Sequence, residues 1–296
     1  MKQLWVVVVM LLMSGCETLA LNTNDRSLLN SANNGDAQAQ LQLGERYYDG
    51  VEVEQDLAVA RGWFSHAAEN GNAEAQYRLA RMYYLGQGVA ENQKIARYWL
   101  EKAAKKRHSE AQYVMGLIHA SGNNVPQNPV EARQWYQRAA AQGHVAAQRN
   151  LAMMYLEDKG GAQDYKQAKR WFEKAAAEGD AAALHGLGAM YGRGQGVGKD
   201  VAKAREFFEQ AAEQDYAPSQ YGLGSMYVWG IGAERDYEKA KYWLEKSANA
   251  NYDKAQFTLG MLYEHGYGVT KNPSKATQWY RKACDNNNAD ACRNLR

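Results

Sequence analysis

Proline is nearly absent from this chain, with 4 in 296 residues, and phenylalanine is almost as rare at 5. So little proline leaves long stretches free to be helical, because proline removes a backbone donor and breaks helix interiors. Charge of one sign is lacking as well. Lys and Arg number 35 against 33 Asp and Glu, a net charge of +2, which argues against nucleic acid or an anionic membrane surface as the main partner. Lys102, Lys105, Lys106 and Arg107 form the one tight basic cluster, and a solvated helix end accounts for it. No apolar run is long enough to span a bilayer; the run from Leu4 to Met13 stops well short of about 20 residues. Motifs that carry chemistry are missing too. There is no Ser-x-x-Lys, Lys-Thr-Gly, Gly-x-Ser-x-Gly, His-Glu-x-x-His or Walker-type loop. His66, His108, His119, His144, His185 and His265 fall at scattered places, so neither a metal site nor any other cofactor is expected.

The first residues are informative. Lys2 precedes the apolar run, which ends in Ser14-Gly15-Cys16. This resembles a bacterial lipoprotein signal, with Met13-Ser14-Gly15-Cys16 as its lipobox. The resemblance implies cleavage before Cys16, lipidation there, and a membrane anchor held by several acyl chains. By analogy with lipoprotein sorting, Glu17 after the cysteine implies the outer membrane, facing the periplasm. An ordinary secretory signal with Cys16 as an incidental thiol is the alternative. Cys284 and Cys292 remain, eight residues apart; in an oxidising compartment they are a disulfide candidate. No third sulfur or histidine cluster stands by to complete a zinc site.

What the chain has in abundance is a repeat. Units of 36 residues begin at Gly35, Gly71, Arg107, Gly143, Gly179, Asp215 and Asn251, and an eighth starts at Asn287. Position nine is Leu43, Leu79, Met115, Leu151, Leu187, Leu223 and Leu259; position thirteen is tyrosine except at His119. Position twenty-nine is Trp63, Trp99, Trp135, Trp171, Phe207, Trp243 and Trp279, with alanine three residues before it. Each unit holds two helical patterns. Ala75, Leu79, Met82 and Tyr83 share one face of the first, and Ala96, Trp99, Leu100, Ala103 and Ala104 one face of the second. Gly86-Gln87-Gly88 suits the turn between them, and Asn92, Asp164, Asp200, Asp236 or Asn272 offers a cap for the second helix. Pro129 and Pro273 fall at a helix's first position. The fourth unit departs at Asp158-Lys159-Gly160-Gly161.

The pattern A-x-A-Q-x-x-L-G-x-M-Y-x-x-G-x-G-V, followed by D/N-x-x-K-A-x-x-W-x-x-K-A-A, resembles the Sel-one-like repeat, a relative of the tetratricopeptide repeat. The resemblance covers residues 35 to 296. It implies an all-α fold, a right-handed α-solenoid of antiparallel helix pairs with seven repeats and terminal half-repeats. The organisation read from it is a leader over 1–15, a tether over 16–24, a half-repeat cap over 25–34, seven repeats over 35–286 and a capping helix over 287–296. In relatives with cysteine-rich repeats the spacing of Cys284 and Cys292 bridges the helices of adjacent units, so the resemblance implies that pairing here.

Function then depends on the first-helix faces that stacking leaves over. At about 100° per residue, Tyr77 and Tyr84 project away from Ala75 and Leu79. The same side holds Tyr113, Tyr221 and Phe257, with Trp229 one step on. In the related tetratricopeptide fold this side lines a concave groove, so these six are expected to contact a protein segment; packing between successive first helices is the alternative. The expected function is a membrane-anchored adaptor for protein partners, without a small-molecule substrate and without enzymatic activity. The resemblance leaves two alternatives: a penicillin-binding or weakly penicillin-hydrolysing protein, and a surface factor that binds a host protein.

Overall fold

A computed structural model describes residues 23–123 and 125–295 of the chain. Among the described residues there are sixteen helices and no strand. Helix α1 (Thr23–Asn33) starts two residues inside the stretch read as a tether. Seven pairs follow: α2 (Ala37–Asp49) and α3 (Leu57–Glu69), α4 (Ala73–Leu85) and α5 (Gln93–Lys105), α6 (Ser109–Ser121) and α7 (Pro129–Ala141). Next come α8 (Val145–Leu156) and α9 (Tyr165–Ala177), then α10 (Ala181–Arg193) and α11 (Val201–Ala212). Last are α12 (Ala217–Trp229) and α13 (Tyr237–Asn249), α14 (Asp253–His265) and α15 (Pro273–Asp285), and the short α16 (Ala289–Asn294).

The chain divides into two compact units, Met1–Ala111 and Gln112–Arg296. In the first, α1 to α5 pack each on the next; in the second, α7 to α16 do the same, and α8 also meets α10. Packing between neighbours in chain order is the solenoid arrangement, in which each element owes its stability to the two beside it.

Local chemistry sets the boundaries. Every second helix opens on an Asp or Asn whose side chain accepts from an amide of the first turn: Asp56, Asn92, Asn128, Asp164, Asp200, Asp236 and Asn272. Pro129 and Pro273 stand in that first turn, where no donor is lost. Six first helices end on a left-handed glycine (Gly50, Gly86, Gly122, Gly194, Gly230, Gly266), each with φ between 67° and 79°. The fourth repeat lacks that glycine. Its α8 stops at Leu156, and Asp158 takes the left-handed turn at φ 57°.

Two devices fix helices within and between pairs. In the first, position ten of the first helix faces position thirty of the second. A Cβ on Gly44, Gly116 or Gly260 would lie 2.5 Å from the ring of Phe64, Tyr136 or Tyr280. Where position ten is Ala80, position thirty is the smaller Leu100; where it is Ala152, the Phe172 ring lies against Gly186 of the next repeat. Phe64 and Phe172 are completely buried. The sequence pattern had placed the tryptophans of position twenty-nine on that buried face, but they are only half-buried. They lie under cations one turn on: Lys102 over Trp99 at 4.9 Å, Arg138 over Trp135 at 4.4 Å and Lys282 over Trp279 at 4.4 Å.

The second device is a buried glutamine at position six. Gln40, Gln76, Gln148, Gln220 and Gln256 donate from Nε2 to the carbonyls of Ala32, Ala68, Ala140, Ala212 and Ala248, each near the end of the preceding helix. Each of these carbonyls also accepts from the backbone amide three residues on, so the glutamine supplies a second donor where water is excluded. In return Asn70, Gln142 and Asn286 donate to Oε1 of Gln40, Gln112 and Gln256 at 3.0, 2.8 and 2.9 Å.

Candidate functional site

Of the six first-helix residues expected to contact a partner, four are half-buried in packing. Tyr77 stacks on His108 with centroids 4.6 Å apart, and Tyr113 on His144 at 4.5 Å. Tyr221 meets Tyr252 at 5.4 Å, and Phe257 meets Tyr280 at 5.5 Å. The first three contacts share one rule: position seven of a repeat meets position two of the next. The same joint is an ion pair in Arg149–Asp180 (2.7 Å) and an edge-on ring contact in His185–Tyr216 (5.5 Å). The signal for these joints lies in the sequence, because the two positions change type together from repeat to repeat.

Except at Tyr216 and Tyr252, position two also caps its helix, so the histidine joints fix a tautomer. His108 Nδ1 accepts from the Ala111 amide at 3.1 Å, which leaves Nε2 to donate to Glu74 at 2.8 Å. That hydrogen bond, with Arg78 beside it, holds the Glu74 carboxyl down at about 2, against the opposing effect of partial burial. Arg78 also pairs with Glu45 at 2.9 Å. Burial, with Arg193 as a second cause, lowers His185 to about 4, and its Nδ1 lies 2.9 Å from Ser219 Oγ. These groups are occupied in holding helices together.

The other two candidates face solvent. Tyr84 is 50% exposed beside Leu85 at 52%, in the last turn of α4. Trp229 is 53% exposed at the end of α12, with Ile231 at 51% just beyond the capping glycine. Each pair belongs to a different compact unit. Cys16 lies outside the described residues. Cys284 and Cys292 are joined by a disulfide that ties α15 to α16. A shallow hollow of about 440 Å³ lies beside the fourth repeat's turn, lined by Arg133, Gln134, Gln137 and Gly160 to Asp164. Arg133 is held there by the Tyr155 ring at 3.8 Å and the Ala162 carbonyl at 3.4 Å. The hollow's lining offers no nucleophile beside a base. Among the described residues no three His, Cys, Asp or Glu side chains are grouped to hold a metal ion.

The family model described as Sel1 repeat matches residues 37–72, 73–108, 109–144, 145–180, 181–216, 217–252 and 253–288. Its units start two residues after those counted from Gly35 and keep the same period. The chain is similar to a solved structure described as c5321, a protective antigen present in uropathogenic Escherichia coli strains displaying an SLR fold. The two share 36% identity at a TM-score of 0.77, over 91% of this chain and 58% of that one. It thus spans little more than half the length of that relative. A Sel1 repeat protein from Oxalobacter formigenes is 33% identical at a TM-score of 0.73, over 91% of this chain and 78% of that one. A search of curated proteins found no match to this chain. Seven matched units, each built as a capped helix pair with a glycine facing a ring or leucine at most crossings, place this chain in the Sel1 repeat family, whose solenoids generally act as scaffolds for protein–protein interaction.

Proposed function

We propose that this chain is an envelope adaptor, lipidated at Cys16 and facing the periplasm, that holds protein partners at the aromatic ends of its first helices. The observation that carries the reading is the pair of exposed patches, Tyr84 with Leu85 and Trp229 with Ile231. Tyr77, Tyr113 and Tyr221 of the first helices are spent on joints, and Leu117 and Met153 are less exposed, at 38% and 37%. Exposed aromatics of this size anchor protein interfaces, because each removes a large apolar area from water at little entropic cost. The Met13-Ser14-Gly15-Cys16 motif after the apolar run supports the anchor and the location.

A photocrosslinker placed at Tyr84 or Trp229 in living cells tests the adaptor. A specific crosslinked species is expected from both positions, and it should vanish in Tyr84→Ala and Trp229→Ala while helicity and melting stay unchanged. No crosslink from either position, or a loss of fold in both variants, would reject the reading. Palmitate labelling that survives Cys16→Ala would reject the anchor. The relative described as a protective antigen favours a second reading, display on the cell surface. Protease shaving of intact cells separates the two, since a periplasmic adaptor is spared.

A further inference from the structure

Aligned by register, the repeats differ in charge at two positions. Position twenty-one is Gln55, Glu91, Gln127 and Gln163 in the first four repeats, and Lys199, Arg235 and Lys271 in the last three. Position twenty-five changes with it, from Val59, Ile95, Glu131 and Gln167 to Lys203, Lys239 and Lys275. All six cations belong to the unit Gln112–Arg296 and, Lys203 apart, are exposed.

Both rows flank the last turns of α10, α12 and α14. Lys199, Arg235 and Lys271 stand beside the capping glycines Gly194, Gly230 and Gly266. The ammonium groups of Lys203, Lys239 and Lys275 lie 4.5, 5.5 and 5.2 Å over the rings of Tyr191, Tyr227 and Tyr263. On the same edge Trp229, Ile231 and Tyr267 are 53%, 51% and 43% exposed.

Helix capping does not require this charge. At the same position Gln55, Gln127 and Gln163 donate to the carbonyls of Tyr48, Ala120 and Leu156 at 2.7, 2.7 and 2.8 Å, so a neutral amide closes the helix end. Nor is the charge spent on ion pairs. Among the described residues only Lys239 of the six has a carboxylate within ion-pair distance, Asp236 at 3.4 Å.

We propose that the turn edge of repeats five to seven binds an acidic polypeptide segment lying extended along the repeats. The inference deepens the adaptor reading and rests on it, since it states the chemistry of the partner that Trp229 would meet. A uniform polyanion fits poorly. Asp200, Glu234, Asp236 and Glu238 are interspersed among the cations and would repel a glycan, nucleic acid or lipid surface carrying charge at every unit. Trp229 and Ile231 call for apolar side chains between the carboxylates, which a polypeptide supplies. Packed helices lie about 10 Å apart, and a chain extended as polyproline II has three residues per turn at about 3.1 Å each, which returns every third side chain to one face. Acidic residues at every third position would therefore meet successive repeats.

The test uses the full chain in non-ionic detergent and two displayed peptide libraries, one with Asp or Glu fixed at every third position and one with Lys there. The acidic library should be retained at least tenfold over the basic one, with retention falling as salt rises. The variant Lys199→Gln/Arg235→Gln/Lys271→Gln carries the residue of repeats one, three and four, so the fold is kept, and it should lose that preference. Lys94→Gln/Lys105→Gln/Lys106→Gln in the second repeat, an equal change of charge, should keep it. Equal retention of both libraries, or a triple variant that still prefers the acidic one, overturns the proposal. So does retention on phosphatidylglycerol vesicles or a uronate polysaccharide without acidic-peptide enrichment. A cellular crosslink from Trp229 that persists in the triple variant defeats this inference alone, whereas failure of all crosslinking defeats the adaptor reading itself.

Discussion

Replacing Ala250 with asparagine should stabilise this protein, although Ala250 itself touches little. The reason lies in Gln220. Its Nε2 donates to the Ala212 carbonyl and to Asp215, both at 3.2 Å, but its buried Oε1 has no donor. Thirty residues after the equivalent glutamines, Asn70, Gln142 and Asn286 supply that donor; thirty after Gln220 stands Ala250. The backbone is already suited. Ala250 has φ −82° and ψ 17°, against −75° and 4° for Asn70 and −90° and 24° for Asn286. A buried acceptor left unpaired costs about 1–3 kcal/mol, and a new hydrogen bond returns about 1 kcal/mol net of ordering the side chain. Ala250→Asn should therefore gain about 1 kcal/mol, read as a higher urea midpoint at unchanged slope and as slower hydrogen exchange in α12 and α13. The decisive measurement is the double-mutant cycle with Gln220→Met. If the hydrogen bond is the cause, Ala250→Asn gains nothing in that background. An equal gain in both backgrounds, or none in either, would refute the reasoning.

Three further outcomes are expected. Gly116→Ala should lose about 1–3 kcal/mol, because its methyl would stand 2.5 Å from the Tyr136 ring. Gly222→Ala, whose methyl meets Phe208 at an ordinary 3.5 Å, should gain up to about 1 kcal/mol from helix propensity; chemical denaturation of both variants checks the contrast. His185, held at about 4 by burial, takes up a proton more readily when unfolded. Its contribution is full above the unfolded value of about 6.5 and falls away through the folded one, in total about 3 kcal/mol. Stability curves of wild type and His185→Asn should thus converge between pH 7 and pH 4, and parallel curves would count against it. Reducing the Cys284–Cys292 bridge opens a loop of 8 residues, worth about 2.5 kcal/mol in the chain-entropy picture. The loss should appear as faster exchange in α16, with α2 to α5 unaffected.

Much of the fold is legible in the sequence because the unit recurs at fixed phase, so caps, turns and helix pairs can be located by comparing copies. The ranking of positions twenty-nine and thirty by burial is not. Nearly constant tryptophan at position twenty-nine reads as core beside Leu100 of position thirty, whereas the structure buries position thirty in six of seven repeats and leaves position twenty-nine half-buried. The size at position thirty follows position ten in part, as Gly44 with Phe64 and Ala80 with Leu100 show, but Ala152 goes with Phe172 and Gly224 with Leu244. The helical wheel places Tyr77 and Tyr84 on one side but cannot say that His108 arrives from the next repeat to cover Tyr77. That depends on packing between repeats, which a single helix's periodicity does not contain.

The joints between position seven and position two make the repeats interchangeable only in certain orders. Deleting residues 107–142 would bring Tyr77 onto His144, reproducing the ring stack that Tyr113 makes natively. Deleting 143–178 would instead set Tyr113 against Asp180 and remove the Arg149 that neutralises it. The chain is thus modular in the way a sentence is: a clause comes out cleanly only where its neighbours agree, and the lengthening or shortening of such an array is restricted at five seams by one pair of side chains.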